Sequence, residues 1–239
     1  MNTATGVIVP SAGMGIRMGY GVAKQFLEIA GKPVLQHTLE RLLQLREVCC
    51  LVVVAPSNEE NKTREVLHHV LEQQSKGHLL QTFVVTGGVE RMDSVENGLR
   101  IIQDLACKLV LVHDAVRPCF SLPAVRKAIN VAAEHGAAVL GVPAVDTVKL
   151  VDGRGVVAST PARERVWLAH TPQIVKKDLL LQAYEYAKKN GFTGTDEASL
   201  VEHSGMEVHM VQGNPDNIKI TWPGDLVRVE QWLAQEDAV

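Results

Sequence analysis

The chain alternates short, almost unbroken apolar runs with stretches whose apolar residues recur every three or four positions. The runs occupy residues 7–9, 51–54, 83–85, 109–112 and 137–142. Continuous β-branched runs of this length suit strands covered on both faces. Between them, Leu35, Leu39, Leu42 and Leu43 follow Pro33, which reads as a first-turn proline. Val66, Leu67, Val70 and Leu71 repeat the spacing, as do Val95, Leu99 and Ile102, each set giving a helix one apolar face. This βαβα rhythm predicts an α/β fold: a doubly wound, mostly parallel sheet of the Rossmann-like kind. Ligands of such sheets sit beyond the carboxyl ends of the strands.

The rhythm breaks after Pro143. Residues 145–160 read as two strands around Asp152-Gly153-Arg154-Gly155, a hairpin turn signal. Alternation in the first of them puts Asp146 and Val148 on one face, Thr147 and Lys149 on the other. A lone two-stranded hairpin is marginal in water. The arm is therefore expected to pack on a second subunit or back on its own domain. Residues 217–221 read as a short strand before a last helix carrying Leu226, Val229 and Leu233 on one face. With no repeat, low-complexity segment or linker, residues 1–239 read as one domain with an inserted arm.

The net charge of −3 argues against a nucleic-acid partner, so any cation that serves a phosphate must act locally. No apolar run nears the roughly 20 residues of a membrane span, and residues 1–6 lack the basic start of a signal peptide. Cys49, Cys50, Cys107 and Cys119 form no C-x-x-C pair and read as packed core thiols. Reduced thiols without a signal point to the cytoplasm.

Three loops carry the chemistry. The first strand leads into Pro10-Ser11-Ala12-Gly13-Met14-Gly15-Ile16-Arg17-Met18-Gly19, whose small residues let backbone N–H groups approach phosphate oxygens. It is not a dinucleotide fingerprint: Met18 fills the third glycine position, and no acid ends the second strand. Nor is it a Walker A loop. Arg17 and Lys24, the latter in Lys24-Gln25-Phe26, add two cations suited to a triphosphate. Gly87-Gly88 end the third strand, with Arg91 and Ser94 opening a helix. His113-Asp114-Ala115-Val116-Arg117-Pro118 follows the fourth. A strand-end carboxylate among phosphate-binding loops suits Mg²⁺, which takes one or two carboxylates plus substrate phosphates; a plain ion pair with Arg117 is the alternative. His113 reads as a packed strand-end histidine rather than a base.

P-x-A-G-x-G-x-R-M-G followed by K-Q-F resembles the nucleotide loop of the sugar-phosphate nucleotidyltransferases. More narrowly, it resembles the methylerythritol-phosphate cytidylyltransferase family and its ribitol-phosphate relatives. G-G-x-x-R-x-x-S, H-D-A-x-R-P, D-T-x-K, T-P-Q, T-D-E-A-S and N-I-K-I-T follow in the family's order, so the likeness spans nearly the whole chain. The last three favour the methylerythritol branch. The chain departs from the pattern at Ser11, where relatives carry alanine, and at Val89, where they often carry an acid.

The resemblance implies transfer of CMP from CTP to 2-C-methyl-D-erythritol 4-phosphate, with pyrophosphate leaving. It implies Mg²⁺ or another divalent cation on Asp114, and nucleotide contacts from Pro10, Ser11, Ala12, Gly13, Gly15, Gly87, Gly88, Ser94 and Ala115. Arg17, Lys24, Lys219 and Arg163 would supply catalytic charge, and Arg117, Thr147, Arg163, Thr171 and Thr195 would hold the polyol phosphate. Arg165 lies close enough to compete with Arg163, and Thr195 also reads as a helix cap. The family pattern further implies a homodimer in which the arm brings Thr147 and Arg163 to the neighbouring subunit's site. The acceptor phosphate has a second pKa near 6, so attack on the α-phosphorus needs no general base. Competing readings are a ribitol-5-phosphate cytidylyltransferase, an NAD-dependent oxidoreductase and a noncatalytic nucleotide-binding module.

Overall fold

A computed structural model describes residues 3–13, 23–73 and 80–236. In chain order its elements are β1 (Thr5–Pro10), β2 (Glu28–Ile29), β3 (Lys32–Pro33), α1 (Val34–Leu42), β4 (Val48–Ala55), α2 (Glu60–Gln73), β5 (Gln81–Thr86), α3 (Arg91–Ile102) and β6 (Leu109–Val112). There follow α4 (Leu122–His135), β7 (Ala137–Pro143), β8 (Leu150–Val151), β9 (Val157–Ser159), β10 (Trp167–Lys176), α5 (Lys177–Lys189), α6 (Glu197–His203), β11 (His209–Gln212) and α7 (Pro223–Glu236). All five apolar runs are strands of one seven-stranded sheet, ordered β11-β7-β10-β6-β1-β4-β5. Pairing is parallel except along β10, which runs antiparallel to β6 and to β7.

Period-two alternation sorts the strand side chains between two apolar layers. Val7, Val9, Leu51, Val53 and Leu111 face one way, packed with Leu35, Leu39, Leu42, Val66, Leu67, Val70 and Val125 of α1, α2 and α4. Ile8, Val52, Val54, Val110 and Val112 face the other, against Val95, Leu99 and Ile102 of α3 and Leu180 and Ala183 of α5. The four cysteines are free thiols, and Cys50, Cys107 and Cys119 are buried, as packed core residues should be. β1 is flanked by β4 on one side and β6 on the other, so the direction of winding reverses there and a crevice opens at the carboxyl ends of β1 and β6.

Four local expectations need correction. Pro33 is the N-cap of α1 and ends the small β2–β3 ladder, rather than sitting in the first helical turn. Asp146–Lys149 is not strand; the arm's ladder is confined to Leu150↔Ser159 and Val151↔Val157. Residues 217–221 have a β-like sequence but no strand to lie beside. Their backbone tie to the loop after β6 is the Ile220 N–H, which donates to the Val116 carbonyl at 3.0 Å, and Asn217 and Lys219 add side-chain and carbonyl contacts to Thr171, Arg117 and Asp114. Asp196, not Thr195, caps α6: its carboxylate accepts from the Ser199 N–H at 2.9 Å.

The turn of the arm is where the sequence put it. The Asp152 carboxylate accepts from the N–H groups of Arg154 and Val156, and Gly155 takes a φ of 80° that disfavours other residues. Every residue of β8 and β9 is exposed, so the arm is not folded back on its own chain.

Candidate active site

A cleft of about 220 Å³, partly open to solvent, lies over the carboxyl ends of β1 and β6. Pro10, Ser11, Ala12 and Gly13 form one wall; Gly88 and Ser94 form another; Lys24, Asp114, Ala115 and Lys219 complete it. These are ten of the residues singled out from the sequence, drawn from four separate motifs. Gly15 and Arg17 lie outside the described residues.

The walls are fixed by backbone bonds. Ser11 N–H donates to the Val54 carbonyl at 2.8 Å, and the Ser11 carbonyl accepts from the Gln25 amide at 2.7 Å, which ties the short helical turn Lys24–Phe26 to the glycine loop. Gly87 packs directly behind Ala12: a Cβ at Gly87 would collide with the Ala12 Cβ. The Gly88 N–H donates to the Ser94 hydroxyl at 3.1 Å. On this side the loop is shaped by close packing, and no side chain larger than glycine fits at position 87.

Asp114 is the electrostatic centre. Its carboxylate takes Lys219 Nζ and Arg117 Nε at 3.1 Å each on Oδ2, and Arg91 Nε at 3.4 Å on Oδ1. Burial by itself would raise its pKa, but Lys219, Arg91 and Arg117 outweigh burial and hold the group far below the usual carboxylate range. It is ionised at any pH at which the protein would work. The arginines are anchored in turn. Arg91 makes a bidentate pair with Glu197 at 2.8 and 3.0 Å, and Glu197 is only 1% exposed. Arg117 Nη1 donates to the Asn217 carbonyl at 2.7 Å. The cluster of Arg91, Arg117, Lys219, Asp114 and Glu197 carries a formal charge of +1 (three cations less two carboxylates). Lys24 stands at the same cleft, and its Nζ donates to the Ile220 carbonyl at 3.3 Å.

His113 is fully buried, edge-on to Phe120, with Nε2 2.9 Å from the Arg117 carbonyl. A carbonyl only accepts, so Nε2 carries the proton. Burial pulls its pKa down to about 4, so the ring is a neutral packing element, as the sequence suggested.

The remaining residues singled out fall outside the cleft lining. Arg117 is built into the wall beside Asp114. The buried Thr171 hydroxyl accepts from the Asp114 N–H at 3.0 Å, a bracing position. Thr147, Arg163 and Thr195 are exposed, and Arg163 Nη1 donates to the Val145 carbonyl at 2.9 Å. Of the residues expected to hold the acceptor, the structure thus brings Arg117 and Thr171 against Asp114 and leaves Thr147, Arg163 and Thr195 exposed outside the cleft lining.

Sequence reasoning missed the partners that hold this half together. Glu197 orients Arg91. Gln173, 2% exposed, donates to the Asp196 carboxylate and accepts from the Ala198 N–H, which seats the start of α6. Asn217, fully buried, donates to the Thr171 carbonyl at 2.8 Å while its own carbonyl holds Arg117. All three lie inside T-P-Q, T-D-E-A-S and N-I-K-I-T. The motifs flagged the segments, but nothing in them said which side chain faces which.

Glycine-rich backbone at the end of a first strand and cations converging on one ionised carboxylate at a switch-point cleft are the features of a nucleotidyltransferase. Comparison with known proteins narrows the class. Residues 5–235 match the 2-C-methyl-D-erythritol 4-phosphate cytidylyltransferase family. The protein of that name from Geotalea uraniireducens is 44% identical over 228 residues, 95% of each chain. Its counterpart from Solibacter usitatus is 42% identical over 243 residues, 97% of this chain and 96% of its own. Among solved structures, 4-diphosphocytidyl-2C-methyl-D-erythritol synthase from Anaerococcus prevotii superposes with a TM-score of 0.82 at 28% identity, covering 98% of this chain and all of its own. The Francisella tularensis cytidylyltransferase gives 0.79 at 30% identity, covering 96% and 100%. The chain belongs to the 2-C-methyl-D-erythritol 4-phosphate cytidylyltransferase family. It is a CTP-dependent enzyme that transfers a cytidylyl group to 2-C-methyl-D-erythritol 4-phosphate in isoprenoid biosynthesis. The ribitol-phosphate, oxidoreductase and noncatalytic readings are set aside.

Proposed function

We propose that the cleft over β1 and β6 is where this transfer occurs, with CTP lying along the glycine loop and its triphosphate between Lys24 and Lys219. The observation that carries the reading is the state of Asp114: buried, ionised and facing the cleft with an excess of cations around it. Two polyanions must approach each other for reaction, and preorganised cations offset that repulsion where charge builds up at the α-phosphorus. The backbone N–H groups of Ala12 and Gly13 offer donors to phosphate and ribose oxygens, while Gly87, Gly88 and Ser94 hold the second wall through the bond from the Gly88 N–H to the Ser94 hydroxyl. Ala115 packs at the base of the cleft, where its carbonyl accepts from the Thr38 hydroxyl at 2.9 Å. Arg17 is assigned to the triphosphate from the motif alone.

Asp114 also fits a divalent ion. It is a single ionised carboxylate lining the cleft, and among the described residues no group of three or more His, Cys, Asp or Glu could hold a metal unaided. An ion bound here would draw its remaining ligands from substrate phosphates, as Mg²⁺ commonly does. When bound it would neutralise phosphate charge and polarise the P–O bonds.

The acceptor half is proposed to come from a second copy. Val145 is 80% exposed, and Leu150, Val151, Val156 and Val157 are each more than half exposed, a set of apolar side chains that one chain leaves uncovered. Thr147 and Arg163 border this arm, and Arg163 or its neighbour Arg165 would meet the acceptor phosphate across a homodimer. Thr195, Thr171 and Arg117 would complete or brace that side. A cytoplasmic location is proposed from the four free thiols, and among the described residues no helix is long and apolar enough to cross a membrane.

The test is pyrophosphate release from CTP with Mg²⁺, offering methylerythritol phosphate or ribitol phosphate. Wild type should strongly prefer the first. Lys24→Ala and Lys219→Ala should each lower kcat by about 10²–10³; a rise in KM alone would assign them to ground-state binding. Mixing inactive Arg163→Ala with inactive Lys24→Ala should restore activity once subunits exchange. A mixture that stays inactive despite verified exchange would refute the shared site.

A further inference from the structure

Three cations lean on one carboxylate, but they are not held alike. Arg91 has Glu197 as a second partner through two bonds, and Arg117 has the Asn217 carbonyl. Both anchors are buried, at 1% and 0% exposure. The ammonium of Lys219 has Asp114 as its sole partner among the described residues. Its side chain is 38% exposed and lines the cleft. The backbone on either side of it is fixed: Ile220 N–H bonds to Val116, the Ile220 carbonyl accepts from Lys24, and Thr221 N–H bonds to the Asp225 carboxylate at 2.8 Å. A flexible four-carbon stem on a fixed backbone can swing its charge between two anions, whereas a doubly anchored guanidinium cannot.

We propose that Lys219 is an exchangeable counter-ion. In the nucleotide-free protein it occupies Asp114; on loading it yields the carboxylate to the divalent cation and moves to the triphosphate. This rests on the reading of Asp114 as metal ligand. An ammonium 3.1 Å from Oδ2 and a divalent ion on the same carboxylate would repel each other, and of the three cations Lys219 alone can leave without breaking a second bond. The arriving triphosphate supplies the anion that receives it, so no charge is left unpaired at any stage. The nucleotide-free protein should then bind metal poorly, and metal and nucleotide should load together. Lys219 would serve twice, first shielding the carboxylate and then meeting the phosphates.

The exchange is measurable without turnover, by following Mn²⁺ binding to the nucleotide-free protein through loss of the free-ion EPR signal. Lys219→Gln should bind Mn²⁺ at least tenfold more tightly than wild type. Lys219→Arg, which keeps a cation on the carboxylate, should stay as weak as wild type. Adding Asp114→Asn to Lys219→Gln should abolish the gain. Lys24→Gln removes a cleft charge that does not touch Asp114 and should change affinity less than threefold. Matching thermal melts would show that the variants fold. The proposal is overturned if Lys219→Gln binds no more tightly than wild type. It also fails if Lys24→Gln matches the gain, which would make it a diffuse charge effect, or if the gain survives Asp114→Asn. Failure of the underlying reading looks different: Asp114→Asn with Lys219 intact would retain turnover.

Discussion

Around Asp114 the chain encloses charge. Two buried acids, two arginines and a lysine contact one another at 2.8–3.4 Å, and most of them touch a further buried polar group. Along the arm the arrangement is the opposite. Apolar side chains face outward, the paired strands span two and three residues, and Arg163 reaches only a local carbonyl. Among the described residues the first region is held together within one chain, so its geometry is available before a ligand arrives. The second leaves Val145, Leu150, Val151, Val156 and Val157 exposed in the single chain, which is why a second copy is proposed to cover it. On the proposed assembly, the enzyme divides into a nucleotide half set by folding and an acceptor half set by a second copy, and the two should respond differently to the same kinds of perturbation.

The largest expected effect is at the centre of the enclosed half. Asp114→Asn should lower kcat by about 10²–10³, the loss typical of a preorganised charge stabiliser. It also leaves Arg91, Arg117 and Lys219 with one fewer anion, and breaking a buried ion pair costs roughly 3–5 kcal/mol. Activity and thermal stability should thus fall together, measured by pyrophosphate release and by urea unfolding. Thr147→Val, on the exposed side, should impair activity without touching stability. If Asp114→Asn unfolds no more easily than Thr147→Val, the contrast between the halves is wrong.

Acid should also separate the halves. His113 has a folded pKa of about 4 against 6.5 for an ordinary histidine, because burial disfavours its charged form. Between those values the unfolded chain binds the proton and the folded chain does not. The stability contribution is therefore whole above pH 6.5 and is lost as pH falls towards 4, by about 3 kcal/mol at 1.36 kcal/mol per unit. His170 is lowered to about 4 for the same first reason, burial, and adds a share discounted for its partial exposure. Urea unfolding free energies from pH 7 to pH 4 should show this decline. His113→Gln should flatten about half of it or more, while substitutions in the arm leave its slope unchanged.

The enclosed half was also the more legible in sequence, up to a point. The periodicity of Leu35, Leu39 and Leu42, and the continuous runs of the strands, reflect burial directly, so sheet and helices could be read from them. The start of the glycine loop and Asp114 could be singled out because close backbone approach restricts residue type and a carboxylate at a strand's end stands out among such loops, and both line the cleft. The Arg91–Glu197 pair could not, since its partners lie 106 positions apart and either residue alone looks like a solvated helix start. In sequence Thr195 and Asp196 are both of a residue type that caps, threonine being a common cap residue though ranked below aspartate. Asp196 takes the role where Gln173 reaches its carboxylate at 2.7 Å, a tertiary contact with no local trace. Residues 146–149 and 217–221 have strand-like composition, but a strand needs a neighbour, and whether one is present is a property of the fold rather than of the segment.

A smaller effect tests whether the two nucleotide walls are matched by packing. Gly87→Ala sets a methyl against the Ala12 Cβ, with the Ser94 hydroxyl 3.0 Å from the new atom. Overpacking of this kind costs about 1–3 kcal/mol. If the strain is relieved by parting the walls, KM for CTP should rise about tenfold for each 1.4 kcal/mol. Ala12→Gly in the same chain should recover much of the loss. An Ala12→Gly background that brings no recovery would mean the contact is not what shapes the cleft.

The smallest effect on the fold should come from the arm, and it is the one that most sharpens the comparison. Val157 lies in β9, more than half exposed, and pairs with Val151 across a two-strand ladder. Replacing it by Ser removes methyl groups that this chain does not bury. The unfolding free energy of the isolated subunit should therefore change by less than about 0.5 kcal/mol, the usual range for surface substitutions. In a dimer the same methyls would be covered, and each buried CH₂ equivalent contributes roughly 0.8 kcal/mol. Since both copies carry the change, the dimer dissociation constant should rise tenfold or more, with activity falling only at concentrations where dimer is lost. Sedimentation and turnover, each followed over a dilution series, read the two quantities separately. Unchanged association would show that the arm's apolar face is not the interface. A large loss of stability at high dilution would show that the arm leans on its own chain after all, and the division between a folded half and an assembled half would collapse.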